Sequence, residues 1–213
     1  MNTTIAAARP EPGELLRLVT ERLANSGLDV RPPGPGEGCR TAIDCDGAGC
    51  TLTVSDWGSA EWEYSPWPPG DADPDLTADL ATMLLTGWPG PYPRLGRRRQ
   101  SGDITFKGVV GRELEARGLH VSLAACEDME YFDVFAEIVA AAPGARGGEA
   151  RVRVADDGCL TWTRSYQAEA AAVLSGPGFR GRIAEPASVA AAVTETVARA
   201  MSYLRPGGER RAA

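Results

Sequence analysis

His120 is the only histidine in the chain, so any internal Ser-His-Asp or Cys-His pair must use it. It stands in Gly118-Leu119-His120-Val121. There Leu119 and Val121 take the inward phase of a strand and His120 the outward phase. That placement suits a surface residue better than a general base. Five cysteines are present: Cys39, Cys45, Cys50, Cys126 and Cys159. Structural zinc sites use close Cys pairs and a fourth ligand; the Cys39, Cys45, Cys50 run offers neither, so no metal is expected. Cys45 and Cys50 bracket a short turn and would face each other across a hairpin, where oxidation could pair them. An odd number of cysteines does not suggest a disulfide framework.

Three further signals bear on chemistry. Gly176-Pro177-Gly178-Phe179-Arg180-Gly181 spells a literal G-x-G-x-x-G. A dinucleotide fingerprint needs a strand before it and a helix after it, whereas an Ala-rich helical stretch precedes this one, so no cofactor is expected. Glu127, Asp128 and Glu130 cluster, and Asp156 adjoins Asp157. Asp156 recurs as Asp56 in a matching segment, which points to turn chemistry, since Asp before Gly is a hairpin signal. Catalytic residues are therefore expected to be absent. The Arg94–Arg99 cluster holds four arginines and offers nucleic-acid binding as one alternative.

The aromatic residues are the strongest binding signal. Trp57, Trp62, Trp67 and Trp88 fall in the first half and Trp162 alone in the second. Trp62 and Trp162 correspond and are expected in the core. Trp67 and Trp88 lie in Pro-rich segments, Trp88 close to Tyr92. Trp, Tyr and Arg dominate binding hot spots, so the expected partner-binding set is Trp57, Trp67, Trp88, Tyr92, Arg97 and Arg98.

These residues must be carried by elements, and an internal repeat organises them. LTVSDWGSAEW (52–62) resembles VRVADDGCLTW (152–162) at a constant offset, matching Val54 with Val154, Asp56 with Asp156, Gly58 with Gly158 and Trp62 with Trp162. Upstream, LVTERLANSGLDV (18–30) resembles VVGRELEARGLHV (109–121), matching Leu23 with Leu114 and Gly27 with Gly118. Two similar blocks in the same order indicate duplication.

Each copy reads as helix, three strands, helix. Leu15, Leu16, Val19 and Leu23 form a helical stripe stopped at Gly27. Short strands follow at 28–30, 41–45 and 50–54, and an alternating strand at 60–64; 50–64 can also be read as one long strand with a bulge at Gly58. Asp73-Pro74 offers an N-cap and first-turn proline to a helix bearing Leu76, Leu80, Met83 and Leu84 and ending at Gly87. In the second copy Val109, Val110 and Leu114 face inward from a helix. Leu119, Val121 and Leu123 alternate along a strand. Strands at 133–141, 151–154 and 160–162 follow, then an insertion at about 167–183 and a final helix from Pro186.

The expected architecture is thus α+β: two tandem α-β-β-β-α repeats, 1–93 and 104–205, each an antiparallel sheet with helices on one face, packed as an intramolecular pseudo-dimer. A Pro/Gly/Arg-rich linker (94–103) joins them and a disordered tail (206–213) follows. This element order is similar to that of the secretion-chaperone-like fold, a resemblance of architecture that covers both copies.

The whole chain of 213 residues has 43% hydrophobic residues and a net charge of −7, which excludes a disordered polyelectrolyte. Residues 1–93 carry 5 arginines against 14 carboxylates, and 94–213 carry 17 cations against 15. The acidic first half argues against a broad phosphate-binding surface there. No apolar stretch is long enough to span a bilayer, and the opening MNTTIAAARPEPGE lacks the features of a signal peptide, so a cytoplasmic protein without membrane contact is expected. Abundant Ala, Gly, Pro and Arg with Lys107 as sole lysine suggest a GC-rich bacterial gene. The leading expectation is a non-catalytic protein-binding protein: an adaptor, a chaperone-like protein or an accessory subunit. A small-molecule-binding protein or enzyme with a site between the repeats, using Arg164, Glu130 or Asp128, is the alternative.

Overall fold

The computed structural model describes residues 13–31, 40–45, 48–55, 58–66, 72–88, 90, 92, 105–128, 133–141, 150–166 and 186–204, with backbone only at 40–49 and 124–138. Among these the chain is a mixed α+β structure with four helices and one antiparallel sheet. The expected insertion, linker and C-terminal tail lie outside the described residues.

The first helix, α1 (Glu14–Asn25), buries Leu15, Leu16, Val19 and Leu23, the stripe expected from the spacing. Beyond its end the Leu28 amide donates to the Leu23 carbonyl, and the Gly27 amide to that of Ala24. The same pattern closes α3 (Phe106–Ala116), where Leu119 donates to Leu114 and Gly118 to Glu115. Helix ends leave carbonyls unpaired, and a left-handed glycine lets the chain fold back to satisfy them. Asp73 caps α2 (Pro74–Thr86) by accepting from the Asp75 amide at 2.9 Å, as its sequence predicts. The last helix, α4, spans Pro186–Leu204.

Four strands lie between each pair of helices, matching the individual segments read from the sequence and one more than the α-β-β-β-α repeat plan. They are β1 (Val30–Arg31), β2 (Arg40–Cys45), β3 (Ala48–Val54) and β4 (Ser59–Ser65), then β5 (His120–Asp128), β6 (Asp133–Ala141), β7 (Arg151–Val154) and β8 (Leu160–Ser165). The 50–64 segment is therefore a hairpin and not one bulged strand. Nor are there two separate sheets. All eight strands form one sheet in the order β1-β2-β3-β4-β8-β7-β6-β5. The seam is the β4–β8 pair, in which Trp62 lies directly opposite Trp162. Pairing at this edge satisfies backbone groups that each half alone would leave open.

Strand alternation divides the two faces. Leu52, Val54, Ala60, Trp62, Tyr64, Val152, Val154, Leu160 and Trp162 are buried in one core with the helices. The alternate residues Thr51, Thr53, Glu61, Glu63, Arg151, Arg153, Thr161 and Thr163 reach solvent. Both tryptophans are 0% exposed.

The helices lie in the order α1, α4, α2, α3, with α1 against β1–β3, α3 against β5 and β6, and α2 against β7 and β8. Thus α2, which follows β4 in the chain, covers strands from the other half. Its residues from Thr77 to Leu85 are all buried. A helix enclosed on all sides is what packing between two helices and a sheet produces. One expectation fails nearby: Leu123, read as inward-facing, is 74% exposed. Its parity is that of buried Leu119, so alternation alone does not secure burial.

Gly158 has φ +86°, and a Cβ built there would overlap the Ala72 side chain. Gly27 has φ +78° with open space around it. Left-handed backbone strains any L residue by about 1 kcal/mol, and overlap adds to that. Gly158→Ala is therefore expected to lower the urea midpoint clearly more than Gly27→Ala; equal losses would show that only φ matters at Gly158.

Candidate functional site

Trp88 follows the left-handed Gly87 that ends α2 and is 50% exposed. Its ring meets Tyr92 edge-on, with centroids 5.4 Å apart. The Tyr92 hydroxyl donates to the Trp88 carbonyl, and Arg199 of α4 donates to the Gly87 carbonyl. The Tyr92 ring in turn lies under the Arg117 guanidinium, 4.9 Å from it. An exposed tryptophan is thus held by backbone bonds and an aromatic stack, so little freedom remains to be lost on binding.

Beneath it lies a buried charge network absent from the sequence expectations. Arg117 donates to Asp79 at 2.8 Å, to Thr82 at 2.9 Å and to Glu113 at 3.4 Å. The second Asp79 oxygen accepts from Tyr203 of α4 at 2.6 Å. The Arg117 and Asp79 side chains are only 3% and 4% exposed. The network ties α2, α3 and α4 together and supports the Tyr92–Trp88 platform. A signal existed in Thr77-Ala78-Asp79-Leu80, an acid inside an apolar helix, because a buried charge demands a partner. Its partner could not be read, since it comes from another helix.

The other expected binding residues are not brought to this platform by any observation. Trp57, Trp67, Arg97 and Arg98 lie outside the described residues, as do the remaining arginines of the Arg94–Arg99 cluster, Glu130 and the G-x-G-x-x-G segment.

A second feature is an open cleft of about 460 Å³ that crosses the seam. Thr53, Ser55, Ser59 and Glu61 line it from the first half, and Arg151, Thr163, Arg164 and Ser165 from the second. Thr53, Glu61, Thr163 and Arg151 are successive register partners on β3, β4, β8 and β7. The cleft floor is therefore one row of the solvent face. The hydroxyls donate and accept, and the guanidinium groups recognise anionic oxygens. Arg164 is among the residues lining this cleft; Asp128 is not, because β6 and β7 separate β5 from β8.

The remaining candidates have structural roles. His120 is exposed at the start of β5, as expected. Cys50 is buried and is not in a disulfide. The register sets it opposite Ile43 and sets Cys45 opposite Ala48, so these two cysteines are not the direct cross-strand partners that the sequence suggested. Cys159 is not in a disulfide either, and its Sγ lies 3.2 Å from the Asp157 carboxylate. Burial first, and then Asp157, hold this thiol above its ordinary pKa, which disfavours the reactive thiolate. The turn chemistry expected of Asp156 belongs to Asp157, which accepts from the Cys159 amide at 2.9 Å; Asp156 instead pairs with Lys107 at 2.7 Å.

In the comparisons with known proteins, no family model, curated protein or solved structure matches the chain.

Two outcomes follow from the network. Arg117→Met removes the guanidinium that pairs with two buried carboxylates and is expected to cost about 3–5 kcal/mol in denaturant unfolding; a loss below about 1 kcal/mol would show that the network is not structural. Burial raises the Tyr92 pKa above the ordinary value for tyrosine. The folded state then keeps a proton that the unfolded state releases above pH ~10. Stability from this group is full below that pH and falls as pH rises further. Tyr92→Phe should flatten the loss measured in urea titrations between pH 9 and 11 (roughly the window set by a free tyrosine).

Proposed function

We propose that the chain is a non-catalytic protein-binding protein of the bacterial cytoplasm, an adaptor, chaperone-like protein or accessory subunit, that engages its partner through Trp88. The observation that carries this reading is a half-exposed tryptophan fixed by Tyr92 and Arg199. Rigid aromatic anchors supply large contact area at small entropic cost and dominate hot spots. No helix among the described residues is long and apolar enough to cross a membrane, which fits a partner met in solution.

The reading includes an intramolecular pseudo-dimer of two tandem repeats, 1–93 and 104–205. Three observations support it. The helix-end pattern at Leu23–Leu28 recurs at Leu114–Leu119. In the turns, Gly58 donates to Ser55 and Ser55 to Ser59, while Gly158 donates to Ala155 and Ala155 to Cys159. The seam register places Trp62 opposite its own sequence equivalent, Trp162, the arrangement a two-fold axis between identical strands would give.

The test is affinity capture by the tagged protein from extract of its own cells, read by mass spectrometry, with wild type beside Trp88→Ala. The reading predicts a protein recovered by wild type, depleted at least tenfold by the variant, with unchanged circular dichroism. Equal recovery by both would remove Trp88 from the interface.

A second reading rests on the seam cleft: a small anionic ligand held by Arg151 and the surrounding hydroxyls. A thermal-shift screen of carboxylates and phosphate esters checks it. The expected result is a compound that raises the Tm of wild type and not of Arg151→Ala; no shift with any compound would leave the cleft without this role.

A further inference from the structure

The two edges of the sheet are unlike. At one end β1 has only 2 residues, whereas at the other β5 has 9. Natural sheets protect their edges by shortening them, by placing proline or lysine there, or by covering them. β1 follows the first device. β5, with the sequence HVSLAACED, carries no proline or lysine, and among the described residues no strand pairs with its outer side. Among the described residues it therefore presents a long row of backbone donors and acceptors to another strand. Leu123, 74% exposed, sits in the middle of it.

We infer that this edge joins a second copy of the same chain, β5 pairing antiparallel with its counterpart to continue the sheet across two molecules. The sequence of β5 suits itself in that arrangement. Pairing over the full strand sets the two-fold axis at Ala124, so Leu123 lies opposite Ala125 of the second copy. The two Leu123 residues then become diagonal neighbours on one face, about 7–8 Å apart, and cover each other. Antiparallel pairing also sets the acidic positions Glu127 and Asp128 opposite Val121 and His120. Parallel pairing in register would instead stack like charges. The chain already joins its own halves in this way, edge to edge and antiparallel, at β4 and β8.

This inference is independent of Trp88. Its test is sedimentation equilibrium of the full chain from micromolar to several hundred micromolar, comparing wild type, Leu123→Lys and Trp88→Ala. Lysine at an already exposed position leaves folding intact, which circular dichroism verifies, and it blocks an edge. The expected result is twice the chain mass for wild type and for Trp88→Ala, and the single chain mass for Leu123→Lys. A wild type that stays monomeric throughout overturns the proposal and leaves the edge to an extended segment of a different protein. A dimer that survives Leu123→Lys, or one lost in Trp88→Ala, also overturns it, because the contact then lies elsewhere.

Discussion

The pairing of β4 with β8, with Trp62 opposite Trp162, is the constraint on which the other features depend. It turns two short antiparallel arrays into one sheet. A four-stranded array exposes its edge and buries modest apolar area, and small units are hard to stabilise alone. Joining them removes two edges and puts two large indoles at the centre of the core. Both indole nitrogens are buried, and neither has a hydrogen-bond partner among the described residues. Such a donor costs free energy to bury, so the apolar packing of these rings has to outweigh that penalty.

The seam also dictates where the helices go. With the sheet continuous, α2 can lie over β7 and β8 while α1 lies against α4. Each half then supplies cover for the other, and the connection is reinforced by more than strand hydrogen bonds. The enclosed position of α2 explains why its polar residues are so fully engaged. Thr82 donates to the Ala78 carbonyl at 2.7 Å and accepts from Arg117, and Asp79 is satisfied by Arg117 and Tyr203. The same arginine then steadies Tyr92 and, through it, Trp88. The exposed candidate surface is therefore built on the interior of the helix layer.

Much of the local structure was legible in the sequence because it is determined locally. The Leu15–Leu23 stripe, the Asp73-Pro74 start, the glycine-closed helix ends and the inward parity of Trp62 and Trp162 follow from spacing and from φ requirements. The candidate site was partly legible: Trp88 and Tyr92 do form a unit, since a Trp in a Pro-rich segment after a helix end has few places to hide. What failed was non-local. One sheet rather than two depends on an edge contact between strands about 100 residues apart, which alternation cannot reveal. Leu123 has the correct parity for burial, but burial also needs a neighbouring element to cover the position, which alternation does not encode. The Arg117 network brings together residues from three helices whose neighbours are set by the seam.

Native-state hydrogen exchange on the intact chain, followed by mass spectrometry across a urea series, tests the dependence on the seam most directly. The account predicts that amides of β4 and β8 exchange most slowly. They should open together with those of α2 and α4 in a single step whose urea dependence is that of global unfolding. If residues 13–86 and 105–204 instead exchange in two steps with different urea dependence, the halves are independent units and the seam is not what holds the fold together.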